Sequence, residues 1–493
     1  MADATAWVNL LTSISSQSMP LLATAEESEA PDGTLVLAGV LLSLIAIYIA
    51  SKVGGELCSR INLPPVLGEL LGGVVVGTSA LQLLVFPDTG ALASDSLIMN
   101  LLERSTDLNP EEAESVFEAQ SEVITILSEL GVIILLFEIG LESDLQELIR
   151  VGPQAAIVAV VGVIAPFVAG TAGLLYIFDI PTVPAVFAGA ALTATSIGIT
   201  AKVLSELGRL SAKEGQIIIG AAVLDDILGI VILAVVASLV KTGEIQVGNI
   251  LYLVASAGAF LIGVIIVGRF LGSYFVRLVN QMNTRGKLLL MALVVAFTLA
   301  YVATIIQLEA ILGAFAAGLV LAETEKRKEL EEQVSPVADI FVPVFFVYVG
   351  AKTDLSVLNP FVPSNREGLI LAAFLILVAI VGKAISGFTI FGQPELNKLS
   401  IGVGMIPRGE VGLVFAGVGS ASGALSESTD AAIIVMVILT TFIAPPLLRF
   451  VFKEEAAAPA QGTASELTGG KTESVTSSSE AGETETAQEQ NKS

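Results

Sequence analysis

Two adjacent carboxylates, Asp225 and Asp226, lie in the middle of the apolar stretch IIIGAAVLDDILGIVIL, at residues 217–233. A charged side chain at the centre of a bilayer costs roughly 2.5–3.5 kcal/mol even on the mildest scale. Desolvation and a like-charged neighbour both favour the protonated form of a carboxylate. Since the chain contains no histidine, we predict that Asp226 is a group that can take up and release a proton near neutral pH.

Three other apolar stretches carry polar features at about the same depth. Lys383 lies near the centre of the stretch 367–391, LTATS (192–196) lies at the centre of 181–206, and GMIPRGE (404–410) lies at the centre of 397–420. Polar features on four separate spans at one depth predict a site at the middle of the membrane. The candidate residues on the last two stretches are Thr193, Thr195 and Ser196, and Pro407, Arg408 and Glu410.

Each of these features also has a purely structural interpretation. A Ser/Thr cluster in a span more often bonds back to its own helix or serves close packing. Arg408 and Glu410 flank a predicted helix break, where they could neutralise each other or the broken ends. One structural ion pair would account for Lys383 and one aspartate, but it leaves the second aspartate unexplained, and we therefore assign function to Asp226.

Composition defines the class of protein that holds these residues. The 493-residue chain is 54% hydrophobic and 15% charged, with a mean hydropathy of +0.83, which is typical of a polytopic membrane protein. The single cysteine, Cys58, excludes an intrachain disulfide, and the net charge of −24 argues against nucleic-acid binding. Apolar runs of roughly 20 residues predict thirteen spans, at about 33–53, 64–86, 119–141, 151–178, 181–206, 214–240, 247–268, 286–307, 309–322, 334–352, 367–391, 397–420 and 430–452.

The basic residues predict the orientation of these spans. Sixteen Lys and Arg residues lie on one face and four on the other, so the positive-inside rule places the N-terminus outside and the C-terminus in the cytoplasm. Residues 1–32 are then an exported tail. Residues 453–493 are rich in Ser, Thr, Glu, Gln and Gly, and we predict that they form a disordered acidic cytoplasmic tail.

The spacing of the spans predicts an internal repeat. If spans one to six form one half and eight to thirteen the other, the fifth span corresponds to the twelfth. The offset of seven is odd, so the halves have inverted topology. Pro407 lies between Gly404 and Gly409 and must interrupt its helix. Interrupted helices in matching positions of inverted repeats predict a substrate site at the midplane.

The chemistry of an ionised Asp226 suits a small hard cation. Together with hydroxyl and carbonyl oxygens it could bind Na⁺, whereas its protonated form could not. A group that holds either a proton or a cation, exposed alternately to the two sides, is sufficient for exchange.

Four motifs taken together resemble the cation/proton antiporter-2 family of monovalent cation/proton antiporters. They are LTATSIGIT, VLDDILGIVIL, the lysine of IVGKAISGF and GMIPRGEVGLVF, and the similarity extends over about 33–452. The chain looks most like the bacterial Na⁺/H⁺ antiporters of that family and, more loosely, its cyanobacterial members. The resemblance implies a homodimer with a dimer domain at about 33–86 and 286–322, a linker helix at about 247–268, and a moving core at about 119–240 and 334–452.

The resemblance also implies roles for single residues. Asp226 is then the main carrier of cation and proton, Asp225 is the salt-bridge partner of Lys383, and Thr193, Thr195 and Ser196 supply oxygens at the crossing of two broken helices. Members with two aspartates and the lysine are typically electrogenic. We expect a transporter rather than an enzyme, with Na⁺ or another monovalent cation and H⁺ as cargo and no cofactor, in a plasma membrane or, in a cyanobacterium, the thylakoid membrane.

Three other functions remain as alternatives. A K⁺/H⁺ antiporter or K⁺ efflux system of the same family would share the motifs, although the efflux relatives usually carry Gln before the aspartate and a soluble regulatory domain. An intramembrane aspartyl protease needs its two carboxylates on different spans, whereas adjacent residues of a helix point about 100° apart. A cation channel would use a filter-like segment around a symmetric pore, and the sequence contains none that we recognise.

Overall fold

The computed structural model describes residues 32–106, 108–242 and 247–457, and within these ranges the chain forms helices and loops without a strand. The predicted all-helical class is confirmed. Apart from Asp32, the predicted exported tail lies outside the described residues, as do residues 458–493. The helices are α1 (Gly33–Arg60), α2 (Pro65–Val76), α3 (Leu97–Thr106), α4 (Pro110–Glu142), α5 (Leu145–Arg150), α6 (Gly152–Tyr176), α7 (Thr182–Ala191), α8 (Ile197–Glu206), α9 (Lys213–Thr242), α10 (Val247–Gln281), α11 (Lys287–Ile305), α12 (Ala310–Ala322), α13 (Arg327–Ala351), α14 (Pro363–Gly387), α15 (Lys398–Gly404), α16 (Glu410–Ala421) and α17 (Glu427–Ala457).

Every predicted span corresponds to helix in the structure. Among the described residues, eight helices are long and apolar enough to cross a membrane, namely α1, α4, α6, α9, α11, α13, α14 and α17. Shorter apolar helical segments occupy the other five predicted positions. The fifth and twelfth spans are each divided into two helices, α7 with α8 and α15 with α16. The interruptions predicted from LTATS and GMIPRGE are therefore present.

Several helix boundaries differ from the apolar runs that predicted them. The acidic segment 87–118 contains α3 and the first turns of α4, which starts at a capping box between Asn109 and Glu112. Helix α2 ends at Val76, ten residues before its predicted end, and α17 continues to Ala457, into the predicted disordered tail. An apolar run marks only the part of a helix inside the hydrocarbon layer. Polar extensions of a helix beyond that layer are therefore missed by a prediction from hydropathy.

Glycine contacts reveal the inverted repeat that sequence identity does not show. Gly140 of α4 and Gly318 of α12 face each other so closely that a Cβ on Gly318 would lie 2.8 Å from Gly140 Cα. Gly73 of α2 and Gly350 of α13 meet in the same way, with 3.0 Å between the added Cβ of Gly350 and Gly73 Cα. These pairs join spans three and nine, and spans ten and two. With the offset of seven, span three corresponds to span ten and span two to span nine. The two contacts are therefore equivalent in the two halves, which supports the repeat.

The outer helix pairs obey the same relation. Helices α1 and α2, spans one and two, touch at Gly54 and Gly68, where an added Cβ would overlap a backbone carbonyl. Their counterparts α11 and α12, spans eight and nine, touch where Gly313 meets the carbonyl of Leu299. Close backbone contact at small residues is the usual way in which membrane helices associate. The two halves of the chain are therefore built from matching helix contacts.

We expect Gly318→Ala to destabilise the protein by about 1–3 kcal/mol, because the new methyl group overlaps the Phe137 carbonyl and neither backbone can yield locally. Thermal unfolding of the purified protein in detergent measures this change. Gly258→Ala in α10 is the matched control, because nothing lies within 4 Å of its added Cβ. A Gly318→Ala protein as stable as this control would contradict the close approach of α4 and α12.

Candidate functional site

The site begins where the two broken helices cross. The chain leaves helical geometry over residues 192–196, between α7 and α8, and over residues 405–409, between α15 and α16. The Ser196 N–H donates to the Pro407 carbonyl over 2.8 Å. Pro407 has no N–H and cannot continue a helix, and each break here supplies a partner for the other. The crossing therefore provides hydrogen-bond partners for backbone groups that would otherwise be unsatisfied inside the membrane.

Threonine hydroxyls complete the hydrogen bonding at the end of α15. Thr195 Oγ1 donates to the Met405 carbonyl over 3.1 Å, and Thr200 Oγ1 donates to the Gly404 carbonyl over 3.0 Å. Gly404 is the last residue of α15 and Met405 is its C-cap, and their carbonyls have lost their helical donors at the break. Hydroxyls of the fifth span thus donate hydrogen bonds to carbonyls of the twelfth span.

Arg408 lies fully buried at the same crossing. Its Nη1 donates to the Ala194 carbonyl over 2.8 Å and to the Met405 carbonyl over 3.3 Å. These carbonyls follow the C-terminal ends of α7 and α15, which carry the partial negative charge of their helices. Arg408 therefore lies where it can compensate both broken ends, the position suggested for it by the structural interpretation. The side chain of Glu410 lies outside the described residues.

Lys383 and Asp225 form a buried ion pair between α14 and α9. Lys383 Nζ lies 2.8 Å from Asp225 Oδ2, and neither side chain is exposed. The lysine passes close to Gly162 of α6, whose added Cβ would lie 3.4 Å from Lys383 Cδ and 3.5 Å from Nζ. A larger residue there would crowd the ammonium group. The packing of α6 thus leaves room for this pair, which joins two spans that the sequence separates by 158 positions.

Asp226, the other aspartate, lines a small cavity beside the crossing. Asp226 is 2% exposed, and the cavity has a volume of about 10 Å³. That is about the room for one water molecule. The lining residues are Ala194, Thr195, Ser196, Ile197, Asp226, Glu309, Ile311, Gly409 and Val411.

The cavity brings together only some of the predicted oxygen donors. Thr195 and Ser196 line it with Asp226. Thr193 is not among the lining residues, and its hydroxyl donates to the Ala190 carbonyl of its own helix over 2.7 Å. The chain leaves helical geometry between Thr193 and Ser196, so their hydroxyls do not share one helical face. Its part as a cation ligand stays a prediction that this contact does not support.

Glu309 lines the cavity, and the motifs did not identify it. It immediately precedes α12, which has only 13 residues. A helix of that length cannot reach across a hydrocarbon layer of about 30 Å, so one of its ends must lie at depth. An acidic residue at the start of an unusually short apolar run is the signal that could have identified Glu309.

The buried charges balance one another. Lys383 interacts electrostatically with both aspartates and with Arg408, and Arg408 interacts with Asp225. Two cations and two ionised aspartates have no net charge. Binding of either a proton or a metal cation at Asp226 changes that balance by the same single charge, so the two ions are electrostatically interchangeable at this position.

Comparison with known proteins identifies the family. The sequence model of the family described as "Sodium/hydrogen exchanger, transmembrane" matches residues 35–454. The chain is 72% identical over 441 residues to the high-affinity Na⁺/H⁺ antiporter NhaS3 of a Synechocystis species, covering 89% of this chain and 96% of that protein. It is 32% identical over 410 residues to the Na⁺/H⁺-K⁺ antiporter GerN of Bacillus cereus, covering 82% and 94%.

A solved structure shares the fold. The sodium proton antiporter MjNhaP1 of Methanocaldococcus jannaschii superimposes with a TM-score of 0.56 at 17% sequence identity, over 85% of this chain and 97% of that one. The antiporter fold predicted from the inverted repeat and the crossed broken helices is confirmed. With the family model covering nearly all the membrane part, this multi-pass membrane protein belongs to the transmembrane sodium/hydrogen exchanger family.

Proposed function

We propose that the chain is a secondary active antiporter that exchanges Na⁺ for H⁺, with both ions competing for Asp226. One observation carries the proposal: of two adjacent buried aspartates, Asp225 is paired with Lys383, whereas Asp226 lines the small cavity beside the crossing. The ionised carboxylate, with oxygens of Thr195 and Ser196, binds the cation, and protonation releases it. Na⁺ is favoured over K⁺ because NhaS3, with 72% identity, is named as a Na⁺/H⁺ antiporter.

Alternating exposure of this site requires one part of the chain to move against another. The proposed moving core is about 119–240 and 334–452, the dimer domain about 33–86 and 286–322, and the linker helix about 247–268. Helices α1 and α11, both in the proposed dimer domain, support this division. In each, 28% of the most apolar window is buried, the lowest share among the eight long apolar helices of the described residues. Their free apolar surface suits a second copy of the chain or lipid.

The proposed orientation places the N-terminus outside or in a lumen and the C-terminus in the cytoplasm, in a plasma or thylakoid membrane. The distribution of sixteen basic residues against four supports it. Na⁺ and H⁺ are the proposed cargo, and the proposed mechanism uses no resident cofactor, since a carboxylate that takes up either ion is sufficient for exchange.

We expect Asp226→Asn to reduce exchange to background, because an amide neither releases a proton nor balances the charge of a cation. The measurement is dissipation of an imposed pH gradient in proteoliposomes on addition of Na⁺, Li⁺ or K⁺. Glu118→Gln, which removes an exposed carboxylate of α4, is the control and should exchange like the unaltered protein. Retained exchange in Asp226→Asn would refute the assignment. A response to K⁺ alone would favour the K⁺/H⁺ alternative, and passive current without a pH gradient would favour a channel.

We expect exchange to be electrogenic, because a cation at Asp226 lies beside the Lys383–Asp225 pair and can change the protonation of more than one group. Imposing a membrane potential on the proteoliposomes with K⁺ and valinomycin should then change the initial rate of Na⁺-driven proton movement in a direction set by the sign of the potential. A rate that is independent of the potential would show that one proton moves for each cation.

A further inference from the structure

Three helices begin at the cavity that holds Asp226. Ser196 is the N-cap of α8, Gly409 is the N-cap of α16 and Glu309 is the N-cap of α12. All three residues line the cavity. Gly409 packs directly on Ser196, since its added Cβ would lie 2.9 Å from Ser196 Oγ. The cavity is therefore bounded by three helix N-termini at once.

This arrangement is unfavourable for a cation unless further negative charge is present. Each helix N-terminus carries a partial charge of about +0.5, so three of them contribute about +1.5. An ionised Asp226 contributes −1, which leaves the cavity positive by about half a charge. Lys383 is balanced by Asp225, and Arg408 is balanced by the C-terminal ends of α7 and α15 that it contacts. A second carboxylate at the cavity would therefore favour a cation.

Glu309 supplies a carboxylate at this place, and it is not used to cap its own helix. The side chains at the N-caps Asp32, Asn109 and Asp144 accept hydrogen bonds from the first N–H groups of their helices. The side chain of Glu309 makes no such bond with α12. Its carboxylate is therefore not engaged in capping α12, and it lies where it can act on an ion in the cavity.

We propose that Glu309 is the second carboxylate of the exchange site and that, with Asp226, it makes the cavity attractive to a monovalent cation. The proposal deepens the proposed function and rests on it. With both carboxylates ionised, the local sum becomes negative by about half a charge. The two acids come from opposite sides of the proposed division, Asp226 from the core and Glu309 from the dimer domain. The cation is thus held between the two parts in the arrangement seen here.

The test compares Na⁺ binding in three variants of the full-length purified protein. Glu309→Gln removes the charge with little change of shape, and Glu309→Ser removes it while leaving a favourable N-cap for α12. Glu323→Gln at the other end of α12 is the matched control. Na⁺-dependent thermal stabilisation gives the half-saturating concentration, and proteoliposome exchange gives the half-maximal one. Both should rise about tenfold or more in the two Glu309 variants, as the loss of a nearby unit charge implies, and stay unchanged in Glu323→Gln.

Each outcome decides between the two proposals. Unaltered half-saturating Na⁺ concentrations in both Glu309 variants, with normal exchange by the unaltered protein, would overturn the role of Glu309 and leave the proposed function standing. A failure of the unaltered protein to exchange any cation for protons would overturn the proposed function itself. Since Glu309→Ser retains a helix cap, a Glu309→Gln protein that does not fold leaves the Ser variant to decide.

Discussion

Lys383 and Asp225 face each other over 2.8 Å with no exposed surface, and this pair determines which of two neighbouring acids is available for chemistry. Two unpaired carboxylates at one depth would repel each other and favour protonation of at least one. Pairing one of them with a cation leaves a single negative charge to balance. The approach of α14 to α9 and the room left by Gly162 of α6 make this pairing possible.

The crossing of the broken helices meets a different constraint, the need to satisfy backbone groups without water. The Ser196–Pro407 bond, the hydroxyls of Thr195 and Thr200, and the guanidinium of Arg408 together replace the helical bonds that the breaks remove. Arg408 and the threonines are thus held by backbone carbonyls. Ser196 makes no side-chain cap bond with α8, and its side chain lines the cavity with Asp226.

Most spans and the midplane position of the site could be predicted from the sequence, because an apolar run must have about the length of the hydrocarbon layer. The position of a residue within its run then gives its depth, and Asp226, Lys383 and Pro407 are unusual residue types at mid-depth. The parts that escaped prediction depend on tertiary direction. The Thr193 hydroxyl donates to a carbonyl of its own helix. Helical periodicity could not predict this, because the helix ends at this point. Glu309 lies at the cavity because α12 has only 13 residues and begins beside the site. The apolar pattern of a short helix does not show which of its ends lies inside the membrane.

The glycine pairs have a consequence for movement. On the proposed division, Gly140 and Gly350 belong to the core, and Gly318 and Gly73 to the dimer domain. The proposed core and dimer domain therefore approach each other backbone to backbone at these two contacts. The repeat places one such contact in each half of the chain. A movement of the core against the dimer domain would change the register of the helices at these two contacts, where neither glycine carries a side chain that could obstruct it.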